Sequence, residues 1–294
     1  MINKCKLCGT EGELILSHII PSSIFKWLKE TSATGYMRRA DTPNLRTQDG
    51  LKEYWLCKKC EKLFNAWETK FSNNIFYPTV ETKQFKQLKY DDWLLKFCVS
   101  LNWRVLLYYK EKTNLAHLTA PLRLESDKAL ETWAEYLLSK RPNPGKYECH
   151  LIPINAITNF SYPSIPTNIN RYLLRNVHID IPCNDKQAFV YIKLPFFIQI
   201  GFINVSHPEL WKRTLVHVNN GILGSRKYIL PASLGAYIND RAHRIKQALR
   251  NISEKQQDKI NQSILKNPDK FVSSETYKAM NHDVELFGKD AFDE

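Results

Sequence analysis

Apolar and polar positions change their rhythm several times along this chain. Leu14, Ile15 and Leu16 form a short apolar stretch that predicts a strand. After Pro21, which suits the first turn of a helix, Ile24, Phe25, Trp27 and Leu28 give an apolar helical face. Residues 31–50 are polar and turn-rich, with Gly35, Pro43 and the pair Asp49-Gly50, and predict a long loop. Glu53, Tyr54, Trp55 and Leu56 predict a second strand. Leu63, Phe64, Trp67 and Phe71 then predict a helix over 60–71. A pattern over 91–110 is apolar on more than one face, through Trp93, Leu94, Phe97, Val99, Leu101, Val105 and Leu106, and predicts a core helix. Another helix is predicted over 125–140 from Leu130, Trp133, Leu137 and Leu138.

The run from Ser139 through Pro142 and Pro144 to Gly145 breaks this pattern and predicts a domain boundary. Beyond it the spacing predicts strands over 147–154, 172–181 and 188–202, the last interrupted at Pro195. Helices return over 236–253 and 255–265, and the residues after Asn267 read as a polar tail. The fold class is therefore α+β. We expect an N-terminal segment over 1–80, a helical segment over 81–145 packed on it, and a mixed strand–helix C-terminal domain over 146–294.

Composition narrows the function. Of 294 residues, 43% are hydrophobic and 24% charged, which excludes a mostly disordered chain. The longest apolar stretch, around Phe196–Phe202, is interrupted by Gln199 and Gly201, so no membrane span is expected. The first residues carry no apolar signal core, so a cytoplasmic location is expected. Lys and Arg number 42 against 30 Asp and Glu, a net charge of +12, which favours a polyanionic partner such as nucleic acid.

Four of the seven cysteines fall in two Cys-x-x-Cys pairs, Cys5/Cys8 and Cys57/Cys60. Each turn aims two thiolates at one centre, and two turns complete a tetrahedral site that suits Zn2+. Lys4, Lys6, Lys58 and Lys59 offset the thiolate charge. Free buried thiols or a redox pair are the alternatives, and two pairs together favour metal. The first pair precedes a hairpin-like region and the second opens a helix, which is the layout of a treble-clef finger. Cys98, Cys149 and Cys183 are expected in the core.

Between the pairs lies Ser17-His18-Ile19-Ile20-Pro21. The order Cys5-x-x-Cys8, Ser17-His18-Ile19-Ile20-Pro21, then Leu56-Cys57-x-x-Cys60-Glu61 resembles the ββα-metal, or HNH, endonucleases. The run Pro21-Ser22-Ser23-Ile24-Phe25-Lys26 is also similar to the stretch after the catalytic histidine in HNH domains of CRISPR effector nucleases. The resemblance covers about the first quarter of the chain. It implies a ββα-metal zinc finger with His18 as general base and one Mg2+ or Mn2+ on the scissile phosphate. It implies ion ligands at Ser17 and Glu61, DNA as substrate, and a prokaryotic defence or mobile-element setting. Asn65, one turn beyond Glu61 on the same helix face, is a further ligand candidate. The chain departs from the family in three places. Ser17 stands where a carboxylate is usual, and a hydroxyl is a poorer ligand for a hard dication. Glu61 stands where His or Asn is usual. Residues 51–56 hold no Asn; Lys52 or Glu53 falls there instead.

Lys26, Lys29, Arg38, Arg39 and Arg46 are the expected phosphate contacts. A second basic cluster, Arg241, His243, Arg244, Lys246 and Arg250, reads as a solvated helix flank. No Gly-x-Ser-x-Gly elbow and no glycine-rich phosphate loop exists. Two functions remain: a metal-dependent endonuclease, or a catalytically degenerate treble-clef protein that binds nucleic acid or another protein. In either, the C-terminal domain is expected to contact a protein partner or a second copy of the chain.

Overall fold

The computed structural model describes residues 3–82, 87–159, 165–224 and 228–292. A small hairpin of β1 (Asn3–Lys4) and β2 (Glu11–Gly12) carries the first cysteine pair at its tip. β3 (Leu14–His18) leads into α1 (Ser22–Glu30). The long polar stretch that follows contains a two-strand ribbon, β4 (Met37–Arg38) with β5 (Arg46–Thr47). β6 (Lys52–Cys57) returns antiparallel to β3, and α2 (Lys58–Phe71) begins at once. A π turn, Ser72–Phe76, joins α2 to α3 (Tyr77–Thr82). Next come β7 (Leu88–Asp91), α4 (Trp93–Thr113) and α5 (Ala120–Leu137). The later part holds β8 (Cys149–Pro153), α6 (Ile169–Arg175), β9 (His178–Asp180), β10 (Ala188–Leu194), β11 (Phe197–Asn204) and β12 (Asn220–Leu223). Helices α7 (Ala232–Leu249), α8 (Glu254–Lys266), α9 (Pro268–Ser273) and α10 (Glu275–Phe287) close the chain. The class is α+β, as its patterning predicts, and no helix among the described residues is long and apolar enough to cross a membrane.

Helix α4 organises the packing. Every residue from Trp93 to Leu106 except Lys96 is buried, and such a helix needs cover on all sides. Helices α2 and α5 supply part of it. The antiparallel sheet β8-β11-β10-β9 supplies the rest. Its central strands, β10 and β11, are buried almost throughout, which is why they read as continuous apolar runs. Polar groups trapped between helix and sheet meet one another, although Gln199 Oε1 has no partner among the described residues. Gln199 donates to the carbonyl of Cys98 at 2.8 Å and to Asn102 Oδ1 at 2.9 Å, and Asn102 Nδ2 lies 3.1 Å from Cys149 Sγ. Position 201 must be glycine for this contact, since a Cβ there would fall 2.2 Å from Asn102. One apolar cluster runs without a break from Cys5 to Ala279.

The interruption at Pro195 is a tight turn: Leu194 pairs with Phe197 across it. Phe196 takes a left-handed φ of 64°, costly for a bulky residue. It is held by backbone bonds to Ile154 (2.8 Å) and Leu173 (3.2 Å) and by an edge contact with Trp27 of α1. Two further links run from the C-terminal half to the N-terminal one. Arg175 donates to the Leu28 carbonyl and the Thr31 hydroxyl, closing the end of α1. Asn44 donates to the carbonyl of Asn251 (2.9 Å) and accepts from the N–H of Ser253 (2.7 Å), pinning the ribbon stretch to the α7–α8 turn.

Several expectations change. The strand expected over 172–181 is helix α6 followed by the short β9. The cause lies far away in sequence. Asp283 of α10, fully buried, accepts from the backbone N–H of Asn170 (2.7 Å) and Arg171 (3.2 Å) and pairs with Arg171 Nε (2.9 Å). It thereby caps a helix whose own N-cap side chain makes no capping bond. The supposed polar tail is α9 and α10, the latter capped by Ser274 Oγ and packed on α6. Helix α5 starts earlier than expected because Pro121 fits its first turn. Cys98 and Cys149 are buried as expected, but Cys183 is exposed, since its loop between β9 and β10 stands outside the sheet.

Replacing Asp283 with Ala should destabilise the protein by about 3 kcal/mol in urea unfolding, because it removes a helix cap and the partner of Arg171 together. A pH effect should come from Asp180. Burial pushes its carboxyl up, but His178, the Tyr237 hydroxyl and the N–H of Ile181 outweigh burial and hold it at about 2. Its contribution is therefore complete above about pH 4, where the unfolded carboxyl is ionised, and disappears as the pH falls toward about 2. Thermal melts should drop across that window in the wild type and drop less in Asp180→Asn.

Candidate metal centre and the His18 site

The cysteine cluster is assembled from two turns that local chemistry makes tight. Gly9, at φ 75°, lets the N–H of residue 9 return to the Cys5 carbonyl at 2.9 Å, so Cys5 and Cys8 face the same side. Cys57 ends β6, and Cys60 lies in the first turn of α2. All four Sγ atoms lie within 4.8 Å of one another, with Cys8 and Cys57 3.8 Å apart. A tetrahedron with metal–sulfur bonds of about 2.3 Å has edges of about 3.8 Å, so the spacing is that of a thiolate cage. The N–H of Cys57 points at Cys5 Sγ at 3.4 Å. Burial pushes the Cys5 thiol up. Burial and the neighbouring sulfurs push Cys60 up further. A dication at the centre removes that conflict, because it is bound by the deprotonated form. The tetrad could thus bind zinc.

The strand pairing that carries Cys57 toward the cage also builds the second site. β3 runs antiparallel to β6, with Ser17 opposite Glu53 and His18 opposite Lys52. Ser17 is buried at 3% exposure and donates to Glu61 Oε2 at 2.5 Å. Glu61 reaches it because it follows Cys60 directly in α2. The His18 ring, 23% exposed, places Nε2 at 2.8 Å from Asp49 Oδ1. Asp49 also accepts from Lys52 Nζ at 2.6 Å and from the N–H of Gly50 at 2.8 Å. Burial pushes the Asp49 carboxyl up, but Lys52, the Gly50 N–H and His18 prevail and hold it at about 2. An ionised carboxylate only accepts, so in the neutral ring Nε2 carries the proton and Nδ1 keeps its lone pair. The carbonyl of His18 is itself held by Arg104 Nη1 at 2.7 Å, and Arg104 pairs with Glu68 of α2 at 2.6 Å.

The other candidates are placed unevenly. Asn65 is exposed on α2, and no described side-chain bond joins it to Glu61. Lys26 is exposed with Glu30 at 3.9 Å, and Lys29 is half-buried on the same helix. Arg38 donates to the Pro43 carbonyl and to Gln256, and Arg39 grips Asp41 with two nitrogens. Both guanidinium groups are thus engaged by protein acceptors. Arg46 is exposed and stacks on the Tyr36 ring at 4.2 Å. Asp49, Arg104 and Glu68 escape sequence reasoning. Asp49 announces itself only as an Asp-Gly turn, and nothing in the spacing marks it as the partner of His18. Arg104 is hidden in an apolar helix pattern. No family model matches the chain, and no curated protein or solved structure matches it.

Elemental analysis should find about one zinc per chain. Cys57→Ser should lose it and lower the melting temperature, while Cys183→Ser should leave zinc content unchanged.

Proposed function

We propose that the protein is a zinc-stabilised, metal-dependent endonuclease of the HNH type, hydrolysing phosphodiester bonds of DNA. One observation carries the reading: a partly exposed histidine with an ionised carboxylate on one ring nitrogen directly follows, on β3, the serine that binds a second carboxylate, and the β3–β6 pair and α2 that carry these groups meet at a four-cysteine cluster. The knuckle, the β3–β6 pair and α2 would form the treble-clef, ββα-metal unit. In this reading Nδ1 of His18 takes the proton of the attacking water, and Asp49 stabilises the imidazolium that forms. Glu61 is the residue that would hold Mg2+ or Mn2+. Its single carboxylate suits an ion that keeps several waters and binds mainly to phosphate. The ion, when bound, offsets charge on the phosphate and the leaving oxygen. Ser17 would yield its bond to Glu61 and serve as a weak ligand at most. Arg46, Lys26 and Lys29 are the basic side chains best placed to meet a phosphate backbone. Arg38 and Arg39 would have to exchange protein acceptors for phosphate.

The Ser17–Glu61 hydrogen bond favours a second reading, a degenerate finger that binds nucleic acid or a protein partner without cutting it. Plasmid nicking separates the two. Wild-type protein with Mg2+ or Mn2+ should nick supercoiled DNA, and His18→Ala at equal zinc content should lose at least about a hundredfold in rate. Equal nicking by both proteins overturns the proposal. Absence of nicking with retained, salt-sensitive binding establishes the second reading.

A further inference from the structure

We propose that Arg104 is a positioning residue for His18, acting with Glu68 to fix the strand that carries the base against the helix that carries Glu61. The inference rests on the reading of His18 as general base. Arg104 lies in the middle of the core helix at 2% exposure, and every part of its guanidinium is used. Nη1 meets the His18 carbonyl at 2.7 Å and Glu68 Oε1 at 2.6 Å. Nε meets the Ser100 carbonyl at 3.2 Å, Nη2 meets Ser100 Oγ at 3.4 Å, and the plane lies over Phe64 at 5.1 Å.

An ion pair in this position is a poor way to glue α4 to α2. Taking both charges out of water is costly, and an apolar pair of similar volume would pack as well or better. What an apolar pair cannot do is hold a carbonyl. The carbonyl in question belongs to the last residue of β3, so fixing it sets the peptide plane from which the imidazole projects toward Asp49. Glu68 lies about two helical turns beyond Glu61 on one face of α2, so the same guanidinium also sets the rotation of the helix that brings Glu61 to Ser17. Arg104 thus touches both the strand of the base and the helix of the second carboxylate.

The test is the paired replacement Arg104→Met with Glu68→Leu, made in protein carrying 15N-labelled histidine. Melting temperature and zinc content should stay at wild-type values. The rate constant kcat for nicking should fall by about ten- to a hundredfold with KM for plasmid little changed, since the base is displaced and DNA binding is not. The ring nitrogens of His18, assigned by comparison with His18→Gln, should change from a single Nε2-protonated form to a mixture of tautomers. Unchanged ring signals together with unchanged kcat overturn the proposal and leave Arg104 as core packing. If wild-type protein does not nick DNA but the ring signals still shift, the positioning stands and the endonuclease reading fails. Arg104→Lys covers the case in which the pair does not fold. It keeps a charge opposite Glu68 without the fork, and wild-type ring signals in that variant likewise overturn the proposal.

Discussion

Four sulfur atoms within a few ångströms of each other set the geometry of the N-terminal part of this protein. Thiolates repel, and buried thiols resist ionisation, so the cluster makes physical sense around a cation that removes both penalties. Its structural effect is leverage. With a cation bound there, one turn near the start of the chain would be tied to the first turn of α2, with β3, α1, the ribbon and β6 spanned between those two anchor points. The His18 carbonyl, the Asp49 turn and the Glu61 carboxylate all lie on segments whose ends are fixed in this way. A site on so short a stretch of sheet would otherwise be subject to slippage, since among the described residues β3 and β6 have no other strand partner.

The second organising element is the buried helix α4. Its buried polar side chains are Ser100, Asn102 and Arg104, and the last two make specific joins to other elements. Asn102 joins the helix to the sheet, and Arg104 joins it to the His18 strand. The core therefore does two things: its apolar faces supply stability, and its few polar contacts fix the orientation of what is packed on it. The His18–Asp49 pair sits at the outer end of that chain of contacts, where its ring is open to solvent.

How much of this is legible from the amino-acid order depends on how local the causes are. The two Cys-x-x-Cys turns, the strand at Leu14–Leu16 and the apolar periodicities of α2 and α4 are local, and they read correctly. The stretch over 188–202, expected as one strand interrupted at Pro195, reads in part: it is a hairpin that turns there. Helix α6 does not, because what starts it is a carboxylate more than a hundred residues later; its own Tyr172, Leu173 and Leu174 look like strand residues. The last two helices read as tail because their apolar positions are few and pay out only against α6. In the site, His18 and Glu61 were within reach of a motif, whereas Asp49 is indistinguishable from any Asp-Gly turn until the chain is folded. Asn65 shows the converse: helical spacing puts it on the face of Glu61, but it stays in solvent.

The reach of Arg175 and Asn44 between the two ends of the chain has a consequence for inheritance. The Leu28 carbonyl and the Thr31 hydroxyl at the end of α1 are met by a guanidinium from α6, and the ribbon next to Asp49 is tied to the turn between α7 and α8. A fragment excised near residue 140 would keep all four clustered cysteines but leave those groups facing water and strip Trp27 of Phe196 and Arg175. The N-terminal quarter is thus not a cassette that could be moved freely between proteins. It has become dependent on the particular chain that follows it, and changes in α6 or α8 must be tolerated by the histidine at the other end.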